Sequence, residues 1–259
     1  MQEIRPDQLP AHLRALFRTT DPLARRCFAV LDGSEPDGVI LEDGANDTRW
    51  AAVMEPYDGV VFMAGRLDAS MVADIFAHLR REGEVQAAMW LDDVRLDLLP
   101  SSPYDDVRML EFTDRPIGQG LDEIVERVPL GLQLRSIDGE LIMRTMWGPD
   151  DVERLGGVSA WQASHAGYCL LDGEHILCEA TVGPAAIGLR EISAITTEGH
   201  RGKGYATITL ARLIQDIESQ GVSTYSVCEK QNAASAALAR KLGYRVEKEY
   251  RCLAWNTLA

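Results

Sequence analysis

Eight residues, Gly199-His200-Arg201-Gly202-Lys203-Gly204-Tyr205-Ala206, constrain this chain more than any other segment. Three glycines and two cations stand between an apolar run and a stretch whose residues Ala206, Leu210, Leu213, Ile214 and Ile217 form one helical stripe. Strand, glycine turn and helix in that order make an anion cradle. Glycine lets backbone N–H groups approach a ligand closely, and a helix N-terminus adds its positive dipole. The segment predicts a phosphate or pyrophosphate site.

Two common phosphate loops fail on spacing. A Walker loop needs Lys and Ser/Thr after its second glycine, whereas Tyr205 and Ala206 follow Gly204. A dinucleotide fingerprint needs a third glycine where this chain has Thr207, and the loop comes late in the sequence.

The charge is uneven. Residues 1–130 hold 13 Arg, no Lys and 25 acidic residues, whereas residues 131–259 hold 13 basic and 15 acidic ones. This asymmetry predicts two modules. A net charge of −14 argues against nucleic acid as a partner, because phosphate backbones select basic surfaces. Five scattered cysteines are no disulfide framework and fit reduced cytosolic thiols. No apolar stretch approaches a membrane span, and no signal peptide is evident. A cytoplasmic protein without a membrane partner is expected.

Along the chain, residues 10–18 and 69–79 read as helices, the second with Asp68 as N-cap and Gly83 as its stop. Residues 27–31, 39–41, 50–54, 59–63, 85–91 and 107–112 read as strands. Prolines and glycines over 113–131 place a module boundary there, giving modules 1–125 and 126–259. In the second module, 132–137, 166–171, 176–182, 189–196, 222–228 and 244–255 read as strands, with a hairpin turn at Asp172-Gly173. Residues 139–147, 150–155, 205–220 and 233–242 read as helices. The fold class is mixed α/β.

A third pattern, Arg/Gln-x-x-Gly-x-Gly/Ala between strand and helix, is met by Arg201-Gly202-Lys203-Gly204-Tyr205-Ala206. It resembles the pyrophosphate loop of the GNAT superfamily of acyl-CoA-dependent N-acyltransferases. The run from Asn232 to Tyr244, an Asn, a small-residue helix and Lys-Leu-Gly-aromatic, is similar to that family's second signature. The resemblance covers the C-terminal half. It extends to the whole chain only through subgroups with an N-terminal α/β module, which would be a degenerate copy of the same fold that shapes the acceptor cleft or an oligomer contact.

The resemblance implies acetyl transfer from acetyl-CoA to a primary amine of a small molecule, with no metal. Arg201, Gly202, Lys203, Gly204, Tyr205, Ala206 and Thr207 would hold the pyrophosphate, and Ile195, Thr196 and Thr197 would line the pantetheine arm. Ile195 and Thr197 would supply backbone amides to the arm and the thioester. Asn232 and Ser235 would also contact the cofactor, although Asn232 reads equally as a helix N-cap. Glu191 is the candidate general base. The family often places a Tyr acid where this chain has Ala239, which cannot donate a proton. Tyr205, Ser235, Cys228 and Tyr250 are substitutes by sequence proximity only, and the gap keeps open a CoA-binding regulatory or interaction module without turnover. A homodimer is compatible with all of this.

The remaining constellations point away from chemistry. His165, Cys169, His175 and Cys178 fall on a hairpin that does not gather them for zinc. Trp50, Trp90, Trp147, Trp161 and Trp255 are spread as packing residues, with Trp147 and Trp161 the two that could line an acceptor pocket.

Overall fold

The computed structural model describes all residues except 36, 45–48, 80–84, 91–92, 100–104, 119 and 256–259. For 85–90, 247 and 255 it describes the backbone alone. The chain divides into two compact units. The first holds Met1–Glu111, Cys228–Asn232 and Glu247–Ala259, and the second Phe112–Val227 and Ala233–Val246. Composition suggests one cut near residue 125. Strand pairing decides otherwise, because the C-terminal strand pairs inside the first unit.

The first unit begins with β1 (Gln2–Ile4), α1 (Ala11–Arg14) and α2 (Ala24–Leu31). Then come β2 (Val39–Glu42), β3 (Trp50–Glu55), β4 (Val60–Gly65), α3 (Ala69–Leu79), β5 (Val85–Trp90) and β6 (Asp105–Thr113). Strands β1 to β4 pair antiparallel in chain order, and β4 pairs parallel with β5 through the α3 crossover. Helix α3 starts where Asp68 Oδ1 accepts the Met71 N–H at 2.9 Å, the cap expected from the sequence. The expected stop, Gly83, lies outside the described residues. Val72, Ile75, Phe76 and Leu79 recur at helical spacing and bury against Leu41, Trp50, Ala52, Met54, Val61 and Met63, which alternate along β2 to β4. Each such side chain contributes roughly 1.5–3 kcal/mol.

Residues 27–31 read as a strand but form the end of α2. The run Cys-Phe-Ala-Val-Leu is apolar because this helix is buried on nearly all sides, and a short continuous apolar run does not separate the two cases. The helix is launched by Leu23 in the left-handed region, φ 53°. A buried ion pair holds that turn. Glu111 accepts the Leu23 N–H at 2.9 Å and the Lys248 ammonium at 2.8 Å.

The second unit continues with α4 (Asp122–Val125), β7 (Leu132–Ser136), α5 (Gly148–Arg154), α6 (Val158–Ser164), β8 (Ala166–Asp172) and β9 (His175–Val182). It is completed by β10 (Leu189–Thr196), α7 (Tyr205–Ser219), β11 (Ser223–Glu229) and α8 (Ala233–Lys241), before β12 (Arg245–Trp255) closes the chain. Strands β7 to β10 pair antiparallel in order, and β10 pairs parallel with β11 through α7. Of the expected helix over 139–147 only a 3-10 turn, Ile142–Arg144, forms, and α6 goes unseen in the sequence. Gly148 explains the break. A side chain there would meet the Ile142 carbonyl at 2.0 Å, so the chain turns tightly before α5. One face of the sheet is covered by a core of Ile137, Leu141, Ile142, Val152, Trp161, Cys169 and Leu171. The other face carries α7, on which Arg212 lies over the Tyr168 ring and Asp216 accepts the Tyr168 hydroxyl.

Arg115 clamps the far end of this frame. Its guanidinium pairs with Glu218 at the end of α7 and donates to the Leu242 carbonyl just past α8 at 2.7 Å. Glu218 also accepts the Gly118 N–H at 2.9 Å. Both side chains are almost fully buried. Removing one partner strands the other charge in a dry site. Arg115→Ala is expected to cost about 3–5 kcal/mol of unfolding free energy in urea, and Arg115→Met with Glu218→Leu to recover most of that loss.

Candidate active site

Gly199, Gly202 and Gly204 have φ of 83°, 78° and 82°, so all three need the freedom that only glycine has cheaply. A Cβ built on any of them meets nothing within 4 Å, so the space above the loop is open and a side chain would intrude on it. Gly204 is the N-cap of α7 and no side chain caps the helix. The first amides of a 15-residue helix thus point into the open space. Arg201 and Lys203 are exposed beside it, His200 stacks on Tyr205 with centroids 6.3 Å apart, and Lys203 sits 6.0 Å over the Tyr205 ring. Uncapped amides, open glycines and two cations fit a pyrophosphate, which is what the residues of this loop would hold.

An opening lies beyond the end of the β10–β11 pairing. The parallel register of β10 and β11 is Leu189–Ser223, Arg190–Thr224 and Glu191–Tyr225. Beyond that β10 runs on to Thr196 paired with β9. The opening is lined by Ile192, Ser193, Ala194, Ser226, Ser235 and Ala239, with Leu210 and Leu238 behind them. Ser235 therefore lies where a cofactor contact is expected, and Ala239 leaves a small, apolar patch there.

The register corrects one expectation. Thr197 N–H donates to the Leu177 carbonyl at 3.0 Å, so it faces β9. The Ile195–Glu179 pairing continues the same register without a bulge, and strand alternation turns the Ile195 amide the same way. The backbone groups that face the gap are those of Ala194 and Thr196. Ile195 and Thr197 were assigned these amides one residue out of phase, because only pairing reveals which edge an amide occupies.

Glu191 stands where the two strands part. Its carboxylate accepts the Tyr225 hydroxyl at 2.5 Å from the paired position on β11. Tyr225 is 1% exposed and Glu191 half-buried, so the bond fixes the carboxylate's position. Sequence reasoning missed Tyr225, since nothing short of the register places it opposite Glu191. Ser193 and Ile195 share that face, and Ser193 is exposed, which keeps the face open beside the carboxylate.

On the same face, opposite Ile195, lies the buried Glu179. Its oxygens accept the Met146 N–H at 3.0 and 2.9 Å, and the Trp147 amide also bonds it. The carboxylate thus pins the turn into α5, leaving Met143 and Met146 exposed and Trp147 half-buried. Trp161 lies in the core, stacked on His165.

Asn232 belongs to the segment grouped with the first unit, and its N–H donates to the Glu229 carbonyl at 2.9 Å. Cys228 and Tyr250 are buried residues of that same unit. All five cysteines are free and buried, and burial pushes the Cys169 thiol up to about 12. Among the described residues no three His, Cys, Asp or Glu side chains are placed to hold a metal ion, and no helix is long and apolar enough to cross a membrane.

Burial raises the pKa of Glu179 above the ordinary carboxylate value, against the lowering effect of the Met146 and Trp147 amides. A carboxyl with a raised pKa binds its proton more tightly folded than unfolded. Its contribution is complete below the unfolded pKa and is lost as pH rises through the folded one. The melting temperature of the native chain is therefore expected to fall relative to Glu179→Gln as pH rises from about 4.3 toward neutrality. Parallel curves for the two proteins, measured by scanning calorimetry across that range, would remove Glu179 as the titrating group.

Comparison with known proteins places this geometry. The model of the GNAT acetyltransferase family matches residues 38–253, a wider span than the two motifs cover. An uncharacterized N-acetyltransferase of Bacillus subtilis, YdfB, is 30% identical over 126 residues. That match spans 48% of this chain and 48% of the relative, so the chain matches about half the length of this curated protein. A GCN5-related N-acetyltransferase-like protein from Streptococcus suis superposes with a TM-score of 0.75 at 20% identity, over 95% of this chain and 97% of the other. A GCN5-related N-acetyltransferase from Sphaerobacter thermophilus gives 0.60 at 16% identity, over 98% and 94%. These two likenesses establish the shared fold, and the family match across both units settles membership: the chain belongs to the GNAT acetyltransferase family.

Proposed function

We propose that the chain transfers an acyl group, acetyl at its simplest, from CoA to a primary amine of a small molecule. The observation that supports this reading is the order of three features along one stretch of the second unit. Glu191, held by Tyr225, is the last β10 residue in the parallel register; an opening lined by Ile192 to Ala194 comes next; and the uncapped glycine turn before α7 follows the strand.

In this reading the amides of Gly202 to Ala206 and the α7 dipole hold the pyrophosphate. The arm lies along β10 and takes the place of the missing strand partner for the Ala194 backbone and the Thr196 N–H. An N–H from this edge aimed at the thioester oxygen would stabilise the tetrahedral oxyanion, worth about 3 kcal/mol. Alkylammonium groups have pKa values near 10, so the acceptor needs to lose a proton before it attacks. Glu191 takes that proton, directly or through a water. The amine nitrogen then bonds the carbonyl carbon, the C–S bond breaks, and the thiolate takes a proton from solvent. Ala239 supplies none. A thiol pKa of about 8.5 makes thiolate an adequate leaving group without a dedicated acid.

Tyr225 is the positioning residue for Glu191. Its hydroxyl donates to the carboxylate and holds it in place. Glu191→Gln is expected to lower kcat/KM by about 10²–10⁴ while leaving CoA affinity unchanged. Tyr225→Phe should lower kcat about tenfold while leaving CoA affinity unchanged. Gly202→Val should abolish CoA binding. Release of free CoA thiol against a panel of amines reads all three. Binding of acetyl-CoA with no turnover on any amine would overturn the enzyme reading in favour of a CoA-binding regulatory module, to which the Ala239 position lends support.

A further inference from the structure

The first unit has the same succession of elements as the second. Strand β1, short helices, β2, β3, β4, α3 and β5 follow the plan of β7, short helices, β8, β9, β10, α7 and β11. In each unit three antiparallel pairings are followed by one parallel pairing across a helix. The parallel pair also parts early in the first unit. Its register is Val60–Gln86 and Val61–Ala87, after which β4 runs to Gly65 against β3 and β5 runs to Trp90 against β12.

What fills the opening differs. Arg66 N–H donates to the Arg49 carbonyl, so alternation along β4 turns the backbone of Met63 away from β3 and toward the gap. The Met63 carbonyl accepts Arg95 Nη1. Arg95 comes from the 3-10 turn Val94–Leu98 that follows β5. Its guanidinium is held in place by Asp93, with Nε at 2.9 and 3.1 Å and Nη2 at 2.5 Å from the carboxylate oxygens. A side chain of the unit itself thus meets the strand edge within the strand, whereas in the second unit Arg201 Nε reaches only the carbonyl of the last β10 residue, Thr196, at 3.3 Å, and Ala194 lines the opening.

The anion cradle is missing as well. Three residues, Arg66 to Asp68, join β4 to α3, against eight between β10 and α7. The helix start is capped by the Asp68 carboxylate, which puts a negative charge where a phosphate would sit. Gly65, with φ 95°, is required by packing rather than by a ligand, since a Cβ there would meet the Arg49 carbonyl at 2.1 Å.

We propose that the first unit is a second copy of the acyltransferase fold whose cofactor slot is closed from within, with Arg95 as its internal ligand. The chain then holds one acyl-CoA, in the second unit. The stoichiometry rests on the CoA reading given above; the seal does not. Cys27 reports on it, because this buried thiol lines the same cleft as Phe62, Met63 and Arg95.

The test uses the full chain in two measurements. Isothermal titration with acetyl-CoA is expected to give one site per chain, lost entirely in Gly202→Val and unchanged in number in Arg95→Ala. A second site, or binding that survives Gly202→Val, would overturn the single-cofactor claim. Alkylation by iodoacetamide, followed at each cysteine by mass spectrometry, is expected to quicken at Cys27 by about tenfold in Arg95→Ala, as loss of a charged hydrogen bond eases local opening. Cys169 and Cys178 should keep their rates. An unchanged Cys27 rate would overturn the seal. If wild-type protein binds no acetyl-CoA at all, the reading of the second unit fails, and the Cys27 rates still decide the fate of the seal.

Discussion

A parallel strand pair that stops pairing halfway is the constraint on which the rest of this molecule depends. Strands β10 and β11 share a register for three residues and then separate, leaving the backbone groups of Ala194 facing a gap, while the Thr196 carbonyl accepts Arg201 Nε at 3.3 Å. Such groups are costly to leave without partners away from water, at about 1–3 kcal/mol each. A gap of this kind needs water or a ligand with its own amide groups. The glycine loop at one end and Glu191 at the other acquire their meaning from that opening.

Keeping two strands apart requires a rigid frame. In the second unit that frame is a buried charge pair. Arg115 and Glu218 tie the segment after β6 to the end of α7 and to the carbonyl of Leu242 beyond α8, and these two helices flank the gap. In the first unit Glu111 and Lys248 play a comparable part for the strained start of α2. Each pair is a poor source of net stability, because desolvation offsets most of the attraction. What each provides is a fixed geometry that apolar contacts alone define less sharply.

The legible parts of this architecture were local. The glycine turn before α7, the capping Asp68 and the amphipathic helices α3 and α7 are written in neighbouring residues, and the structure forms each of them. Features that depend on register stayed hidden. The amides of Ile195 and Thr197 were placed one residue out of phase, since the sequence does not say which strand edge an amide faces. Tyr225 lies 34 residues from its partner Glu191 and meets it only through strand pairing. Residues 27–31 form a helix because burial on all sides removes the periodicity that would have revealed it. The division into units was equally unreadable, as it follows the pairing of β12 with β5.

The unequal crossovers, eight residues before α7 and three before α3, have a consequence for how the two halves can change. On the proposed reading, the glycines at positive φ before α7 answer to a ligand as well as to folding, so substitution there is punished twice. The short Arg66–Asp68 connection answers to folding alone. Within one chain, the same structural element is therefore tuned for occupancy in one place and for cohesion in the other. Random mutagenesis scored by solubility would rank the two loops alike, whereas scoring by ligand retention would separate them.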